Sequence, residues 1–580
     1  MSLKTITTDV LVIGGGLAGC FAAIKARKSG ADVILVDKNH VGRTGCTIYA
    51  SGMALFNPEW GDDLDEWLEQ YSRVGEYVVD KDWVKILLRD SYARHRDMVD
   101  WGVTYYKKNG EVGTLESGEE PDRPLWLKSK YRHKCTLAMF GSKTKMLKAR
   151  KAVEDTGAQI IDRLMITDLT RKDDTVTGAV GFHTRTGDTY HIKAKATVLA
   201  SGMVSFKGSG FGRHLGTGDG QAMAYRAGAD MKSMEWGGLM YCIKDCDTVI
   251  VNGPTWEEDT NQDNVTNAYG ETFLGQEGNP GTVTLVLWPL QVHAGKGPIY
   301  HEPYGVDRAK YEKEIIEYEK KSEGPWITML DRAGLDIFND RLEQFTGYVG
   351  ARPGGGVKIN DRCETSLNGL FAAGDASGCG LGGAAYPAGG TGMNKAAVTG
   401  HIAGESAAKY ASTVGRVEDD DGVCEALLKK SMTPLDRVGG FTSDHVTTRV
   451  QQTIFPYEVH MVMHEKRLQS ALTMVKFFKD HFISSMKASD LHDLRKVHES
   501  RNMVQCAEML LGSSLVRKES RGTFYREDYP ERDDENWLKW IIFRRDGDKM
   551  KIWTEPVPDD SVGDLSMPYE TRYSLKYRSG

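Results

Sequence analysis

No stretch of about 18 consecutive apolar residues occurs anywhere in this 580-residue chain, so nothing in it is built to span a bilayer as a helix. A polyanion footprint is missing as well. Lysine and arginine total 74 against 81 aspartates and glutamates, a net charge of -7, and short basic stretches such as "KKNG" and "LKSKYRHK" read as solvated faces, which excludes nucleic acid as a main partner. Internal repeats and low-complexity segments are absent. The nine cysteines are odd in number and scattered, which excludes a disulfide framework. The nearest pair, Cys242 and Cys246, has no common iron–sulfur spacing, so no metal site is expected and one-electron carriers would lie on a partner chain. The opening "MSLKTITT" leads straight into a strand pattern without an apolar signal core, and the expected location is the cytoplasm. The length suffices for two to four domains.

What is present begins at residue 8 with "TDVLVIGGGLAGCFAAIKARKSGADVILVDKN". Residues 9–13 form an apolar, β-branched run that reads as a buried strand. Gly14, Gly16 and Gly19 follow in the spacing G-x-G-x-x-G, then a helical pattern over 17–29 and a second apolar run over 32–36 that ends at Asp37. Strand, glycine turn, helix, strand and acid in that order predict a dinucleotide site. The first glycine permits the turn, the second admits a pyrophosphate, the third lets helix and strand approach, and Asp37 stands where a carboxylate binds a ribose hydroxyl.

The motif alone leaves NAD and FAD open. A distant stretch, "GLFAAGDASGCGLGGAAYPAGGTGMNKAAVTG", reads as a short buried strand over 370–373, then Gly374-Asp375, then a helix over about 391–408 whose amino terminus would point back at the cofactor. A late "GD" element paired with an early glycine motif resembles the two-part FAD fold of flavoproteins, and so implies FAD held between two walls.

Organisation along the chain follows. Residues 1–236 read as the first part of an FAD-binding domain, with the strand "ATVLASG" ending in Ala200, Ser201 and Gly202 and "TGDGQAMAYRAGAD" opening a helix. Residues 237–349, polar and rich in Gly, Asn and Thr, read as an inserted cap. The nucleotide domain resumes over 350–411. Amphipathic helices within 423–518 predict a helical domain over 412–540, and 541–580 read as a short polar tail. The expected class is α/β: a two-part FAD-binding Rossmann-like domain, an inserted α+β capping domain and a C-terminal helical domain.

These motifs, with "ESRGTFYREDYPERDDENWLKWI", resemble the flavoprotein subunits of succinate dehydrogenase and fumarate reductase, a group that includes L-aspartate oxidase and the α subunit of adenylylsulfate reductase. The likeness runs along nearly the whole chain in the right order. It implies a cofactor set of Gly14, Gly16, Gly19, Asp37, Lys38, Thr44, Gly45, Cys46, Ser51, Gly52, Ala200, Ser201, Gly202, Asp219, Asp375, Gly390 and Thr391. Where respiratory members bond the flavin through a histidine, "RTGCTIYASG" offers Cys46, and the flavin is expected to be non-covalent.

The substrate positions depart from the dicarboxylate pattern. Met240, Ala351 and Tyr386 stand where the family has two histidines and an arginine, and "GTVTLVLWPLQVHAGKGPIY" lacks the proton-delivering arginine. A small dianion needs fixed cationic or donor groups to offset its desolvation. Succinate and fumarate are therefore not the expected substrates. "AYPAGG" resembles an element of 3-ketosteroid dehydrogenases in which tyrosine polarises a carbonyl, whereas "GKGPIYHEP" resembles the adenylylsulfate reductase branch. Tyr386 and Arg352 are the catalytic candidates, each with an alternative: Tyr386 as packing with its hydroxyl satisfied by backbone, Arg352 as a structural ion pair. Tyr241, His293 and His301 are weaker candidates, and Arg521 is expected to hold the helical domain in place. Two function classes stay open. One is an FAD-dependent oxidoreductase on a different substrate, working by hydride transfer at flavin N5 coupled to proton transfer. The other is an electron-transfer flavoprotein chain of an adenylylsulfate reductase-like complex with a ferredoxin-like iron–sulfur partner. Oligomeric state stays open.

Overall fold

The computed structural model describes residues 2–50, 52–106, 112–113, 136–140, 144–208, 213–244, 265–273, 284–303, 330, 332–336, 338–351, 355–386, 390–415 and 420–558. The chain opens with strand β1 (Leu3–Ile13), helix α1 (Leu17–Lys28) and strand β2 (Val33–Val36). After three further helices (Leu64–Val74, Lys81–Asp100 and Thr144–Asp155), it returns to the same sheet through β3 (Gln159–Ile161), β4 (Leu164–Lys172), β5 (Thr175–His183) and β6 (Thr189–Leu199). Helix α2 (Asp219–Ala227) and the short strand β7 (Met231–Lys232) complete this half.

The inserted region carries β8 (Gly237–Ile243), helix α3 (Thr284–His293) and β9 (Leu342–Ala351). With Val265–Thr266 and Ile299–His301, these strands make a four-stranded antiparallel sheet. Most of the polar stretches that suggested an irregular cap, 245–264, 274–283 and 304–329, lie outside the described residues. The nucleotide half resumes with β10 (Gly356–Val357), β11 (Leu370–Ala372) and the long helix α4 (Thr391–Thr413). The helical unit follows, ending in α5 (Leu491–Val516). Three of its helices are capped by Asp420, Thr442 and Asp490, whose side chains accept backbone N–H bonds from Val423, His445 and Asp493 and so satisfy donors that a helix start leaves unpaired.

The C-terminal part differs from the expected tail. Lys539–Asp546 (β12) and Lys549–Pro556 (β13) form an antiparallel hairpin, and β12 also pairs with β7, which in turn pairs with β10. The run "WIIFRR" alternates too little to announce a strand, because Trp540, Ile541, Ile542 and Phe543 are all buried, on both faces.

The main sheet has the order β3-β2-β1-β6-β5-β4, with β11 joined to β6. Strand β6 is shared: Thr189–Lys193 pair antiparallel with β5, while Thr197–Leu199 pair parallel with β11. That sharing brings the two distant glycine-bearing stretches into one sheet. Helices α1 and α4 lie against each other over it, and small residues allow the approach. A Cβ on Gly400 would sit 2.4 Å from the Ala18 carbonyl oxygen, and one on Gly404 would sit 2.3 Å from that of Ala22. Among the described residues no helix is long and apolar enough to cross a membrane.

Candidate active site

Four parallel strands end side by side. Ile13 is in register with Val36 and with Leu199, and Leu199 with Ala372. The chain leaves these carboxyl ends through the turns 14–19, 37–52, 200–202 and 373–386, the edge at which open α/β sheets bind ligands.

The glycines divide into two kinds here. Gly14 has φ +112° and a Cβ on it would lie 2.4 Å from the Ala200 oxygen, while a Cβ on Gly19 would lie 1.8 Å from the Gly14 oxygen. Those two permit strand and helix to meet. Gly16, Gly45 and Gly202 are different: among the described residues the nearest atom to a Cβ on Gly16 is the Thr47 hydroxyl at 3.9 Å, and none lies within 4 Å for the other two. They form an open cradle, free of the described residues on the side where a ligand backbone would lie. This fits a dinucleotide.

Asp37 organises the first turn. Its carboxylate accepts from Gly15 N at 2.8 Å and from Asn39 N at 2.6 Å. Burial pushes this carboxyl above its ordinary value, and those two N–H donors and Lys38 work against the rise. Each oxygen keeps a lone pair for a ribose hydroxyl. Thr44 Oγ1 donates to the His40 carbonyl at 3.2 Å, Cys46 starts a short 3-10 turn, and Gly52 opens the strand Gly52–Leu55; Ser51 lies outside the described residues.

The second wall is tied to the first by α2. Ser201 Oγ accepts from Gly220 N at 2.9 Å, and Gln221 Nε2 donates to the Gly202 carbonyl at 3.0 Å and to the Asp375 carbonyl at 3.1 Å. Ala200 N donates to Ile13 O at 2.8 Å. Asp375 sits in the turn Gly374–Ala376, and among the described residues no group donates to its carboxylate, which leaves it for hydroxyl donors.

Lys38 and Asp219 are placed differently from what a direct cofactor role needs. The Lys38 ammonium donates to Thr217 Oγ1 at 2.7 Å, to Asp219 at 2.8 Å and pairs with Glu499 at 2.9 Å, which engages all three of its donors. Asp219 also takes Asn502 Nδ2 at 2.8 Å. Their side chains join the nucleotide half to the helical unit.

At the start of α4, Gly390 is the N-cap with φ +77°. Gly392 N donates to the Tyr386 hydroxyl at 2.8 Å, and Thr391 shares a 3.0 Å hydroxyl–hydroxyl bond with Tyr71. Tyr71 escaped the sequence reading because in "DDLDEWLEQYSRVG" it reads as one more residue of an amphipathic stripe. Arg352 lies outside the described residues. Met240, Tyr241 and Ala351 fall on the paired strands β8 and β9.

The remaining candidates have other partners. His293 pairs with Glu527 at 2.9 Å on a half-exposed rim. His301 is buried, and burial lowers its imidazole to about 4, so it is neutral at neutral pH. Arg521 is fully buried: it grips Glu519 through two nitrogens, pairs with Asp534 at 2.9 Å and donates to the Glu76 carbonyl at 2.8 Å, which fastens the C-terminal unit to the first half.

Residues 9–238 match the family described as FAD binding domain, and residues 449–577 match the one described as fumarate reductase flavoprotein C-term. The chain is 30% identical to a chain of the fumarate reductase (CoM/CoB) of Methanothermobacter marburgensis, over 94% of this chain and 98% of that protein. It is 24% identical to the fumarate reductase flavoprotein subunit of Haemophilus influenzae, over 96% and 95%. Among solved structures, adenylylsulfate reductase of Archaeoglobus fulgidus matches with a TM-score of 0.79 at 23% identity, covering 96% of each chain. Quinol fumarate reductase of E. coli matches with a TM-score of 0.77 at 20% identity, covering 97% and 98%. At those identities the structures speak to the fold. The cofactor is FAD and the chain is an oxidoreductase: it belongs to the flavoprotein family of succinate dehydrogenase and fumarate reductase.

Proposed function

We propose that this flavoprotein exchanges two electrons with an organic substrate other than succinate or fumarate. The carrying observation is Tyr386, a phenol where a dicarboxylate enzyme would place a guanidinium, with its oxygen on Gly392 N at the start of α4. Bound FAD supplies hydride-type exchange at N5. A hydroxyl whose oxygen accepts an N–H bond at a helix amino terminus donates more strongly, because the bonds polarise one another. Tyr386 is thereby suited to polarise a substrate carbonyl or to pass a proton beside it. Arg352 would meet an anionic group of the substrate.

The relative from Methanothermobacter carries fumarate in its name, and that is the reading to test against. Anaerobic stopped-flow with succinate as reductant, and with fumarate as oxidant of the reduced protein, should show negligible flavin change. Rapid turnover with either dicarboxylate would overturn the proposal.

A second reading rests on another part of that name, which makes the Methanothermobacter protein one subunit of its enzyme and so supports a partner chain here. In this reading the protein passes electrons to a ferredoxin-like iron–sulfur protein in the cytoplasm, as in an adenylylsulfate reductase-like complex. Affinity purification from the native source decides it: a co-purifying iron-containing chain favours the second reading, and a single chain with a substrate-reducible flavin favours the first.

A further inference from the structure

Beside the ribose wall lies a buried cluster of charge. Glu499 of α5 is 1% exposed and is met by Lys38 at 2.9 Å, Lys207 at 2.7 Å and Arg495 at 2.5 Å. Lys38 also holds Asp219 and Thr217, and the Thr217 hydroxyl donates to the same Asp219 oxygen at 2.9 Å. Asn502 bonds the other Asp219 oxygen, and Cys506 Sγ contacts the Gly218 carbonyl at 3.5 Å. Residues 499, 502 and 506 recur at helical spacing, so one face of α5 closes over the turn 217–219. That turn is tight: a Cβ on Gly218 would lie 2.5 Å from Cys506 Sγ.

Both ends of this cluster reach cofactor walls. Lys38 directly follows Asp37, whose carboxylate shapes the glycine turn. Asp219 is the first residue of α2, and the next two residues, Gly220 and Gln221, bind Ser201, Gly202 and Asp375. A displacement of α5 therefore moves the ribose wall and the second wall together, through its bonds to Lys38 and Asp219.

We propose that Lys38, Asp219 and Glu499 form a clasp through which α5 positions the FAD walls, so that FAD loading and docking of the helical unit are thermodynamically coupled. They are positioning residues. The coupling is reciprocal: whatever factor FAD gains from a docked α5, docking gains from FAD. The inference rests on the FAD assignment and not on the substrate reading, and its readouts involve no substrate.

The test uses the full chain, stripped of FAD and titrated back, with Kd read from flavin fluorescence and amide hydrogen exchange read over 491–516. FAD should slow exchange in this segment of the wild type. Lys38→Met should weaken FAD binding by roughly tenfold, within the usual 5–150-fold range of coupling between sites, and should abolish most of the FAD-dependent protection. Asn502→Ala, which removes no charge, should do the same to a smaller extent, and Lys38→Arg should restore part of both. A merely structural clasp would lower stability and leave the FAD-dependent protection intact. That result, or a wild-type Kd in Lys38→Met, would overturn the proposal.

Discussion

The hydroxyls of Tyr71 and Thr391, 320 positions apart in sequence, meet at 3.0 Å in the protein interior. Thr391 is the first residue of α4 and Tyr71 belongs to the helix Leu64–Val74, so this bond ties the start of α4 to that helix. Tyr71→Phe should leave the Thr391 hydroxyl short of a partner and destabilise the protein by roughly 1–3 kcal/mol, the usual penalty for a buried polar group left unpaired. Chemical denaturation of the two proteins checks it, and a double change with Thr391→Val should recover part of the loss.

Tyr386→Phe separates chemistry from packing at the same helix. If the hydroxyl transfers a proton or polarises a carbonyl, turnover should fall by about two orders of magnitude or more. The ring remains to fill its space, so flavin content should stay at the wild-type level. Losing the acceptor for Gly392 N should destabilise the helix start by about 0.5–2 kcal/mol, the range for a lost N-terminal cap. Full activity would leave Tyr386 as a cap alone.

The glycine seam between α1 and α4 gives a prediction free of substrate. Gly404→Ala puts a Cβ 2.3 Å from the Ala22 carbonyl, backbone against backbone, where neither side has a rotamer to yield. Overpacking of this kind typically destabilises by about 1–3 kcal/mol. The melting midpoint should fall, whereas Gly415→Ala, with no described residue within 4 Å of the added Cβ, should leave it unchanged.

Legibility in the sequence followed the range over which each signal acts. Gly14, Gly16, Gly19 and Asp37 announced their turn because its geometry is set within one β-α-β unit. The pairing of β6 with β11 was reachable only through a family resemblance, because no local pattern encodes which strand a neighbour 170 residues on will join. Lys38 and Asp219 show the limit most clearly: both stand in cofactor motifs, and only the approach of α5 reveals that their side chains bind Glu499 and Asn502. The hairpin β12–β13 is not announced by its first strand, because β12 is buried on both faces and carries no alternation.

Cys46 tests the flavin linkage. It opens a half-exposed turn next to Gly45, and a small residue there suits a non-covalent flavin. Acid precipitation should release the yellow colour into the supernatant. Colour retained in the pellet would mean a thioether at Cys46, and Cys46→Ser would then release it.

The clasp also sets a pH dependence with a defined sign. Burial alone would raise the Glu499 carboxyl, but Lys38, Lys207 and Arg495 overcome it and hold the group far below its ordinary 4.5. A carboxyl depressed in the folded state binds more protons when unfolded, so its stabilisation is complete above 4.5 and is lost as pH falls from there toward the folded value. Lys38 has the opposite sign: its ammonium is held above its ordinary 10.5 by Asp219 and Glu499 against the effect of burial, so its contribution is complete below 10.5 and fades only above that. Between the two ordinary values neither group titrates, and the stability difference between wild type and Glu499→Gln should be constant from about pH 5 to 9. Below 4.5 the difference should shrink, because glutamine mimics the protonated acid and has no proton to take up. Denaturant unfolding of both proteins at matched ionic strength, stepped from about pH 7 down to the acid limit of solubility, measures this directly. Parallel acid profiles for the two proteins would mean that Glu499 titrates normally and that the three cations do not hold it.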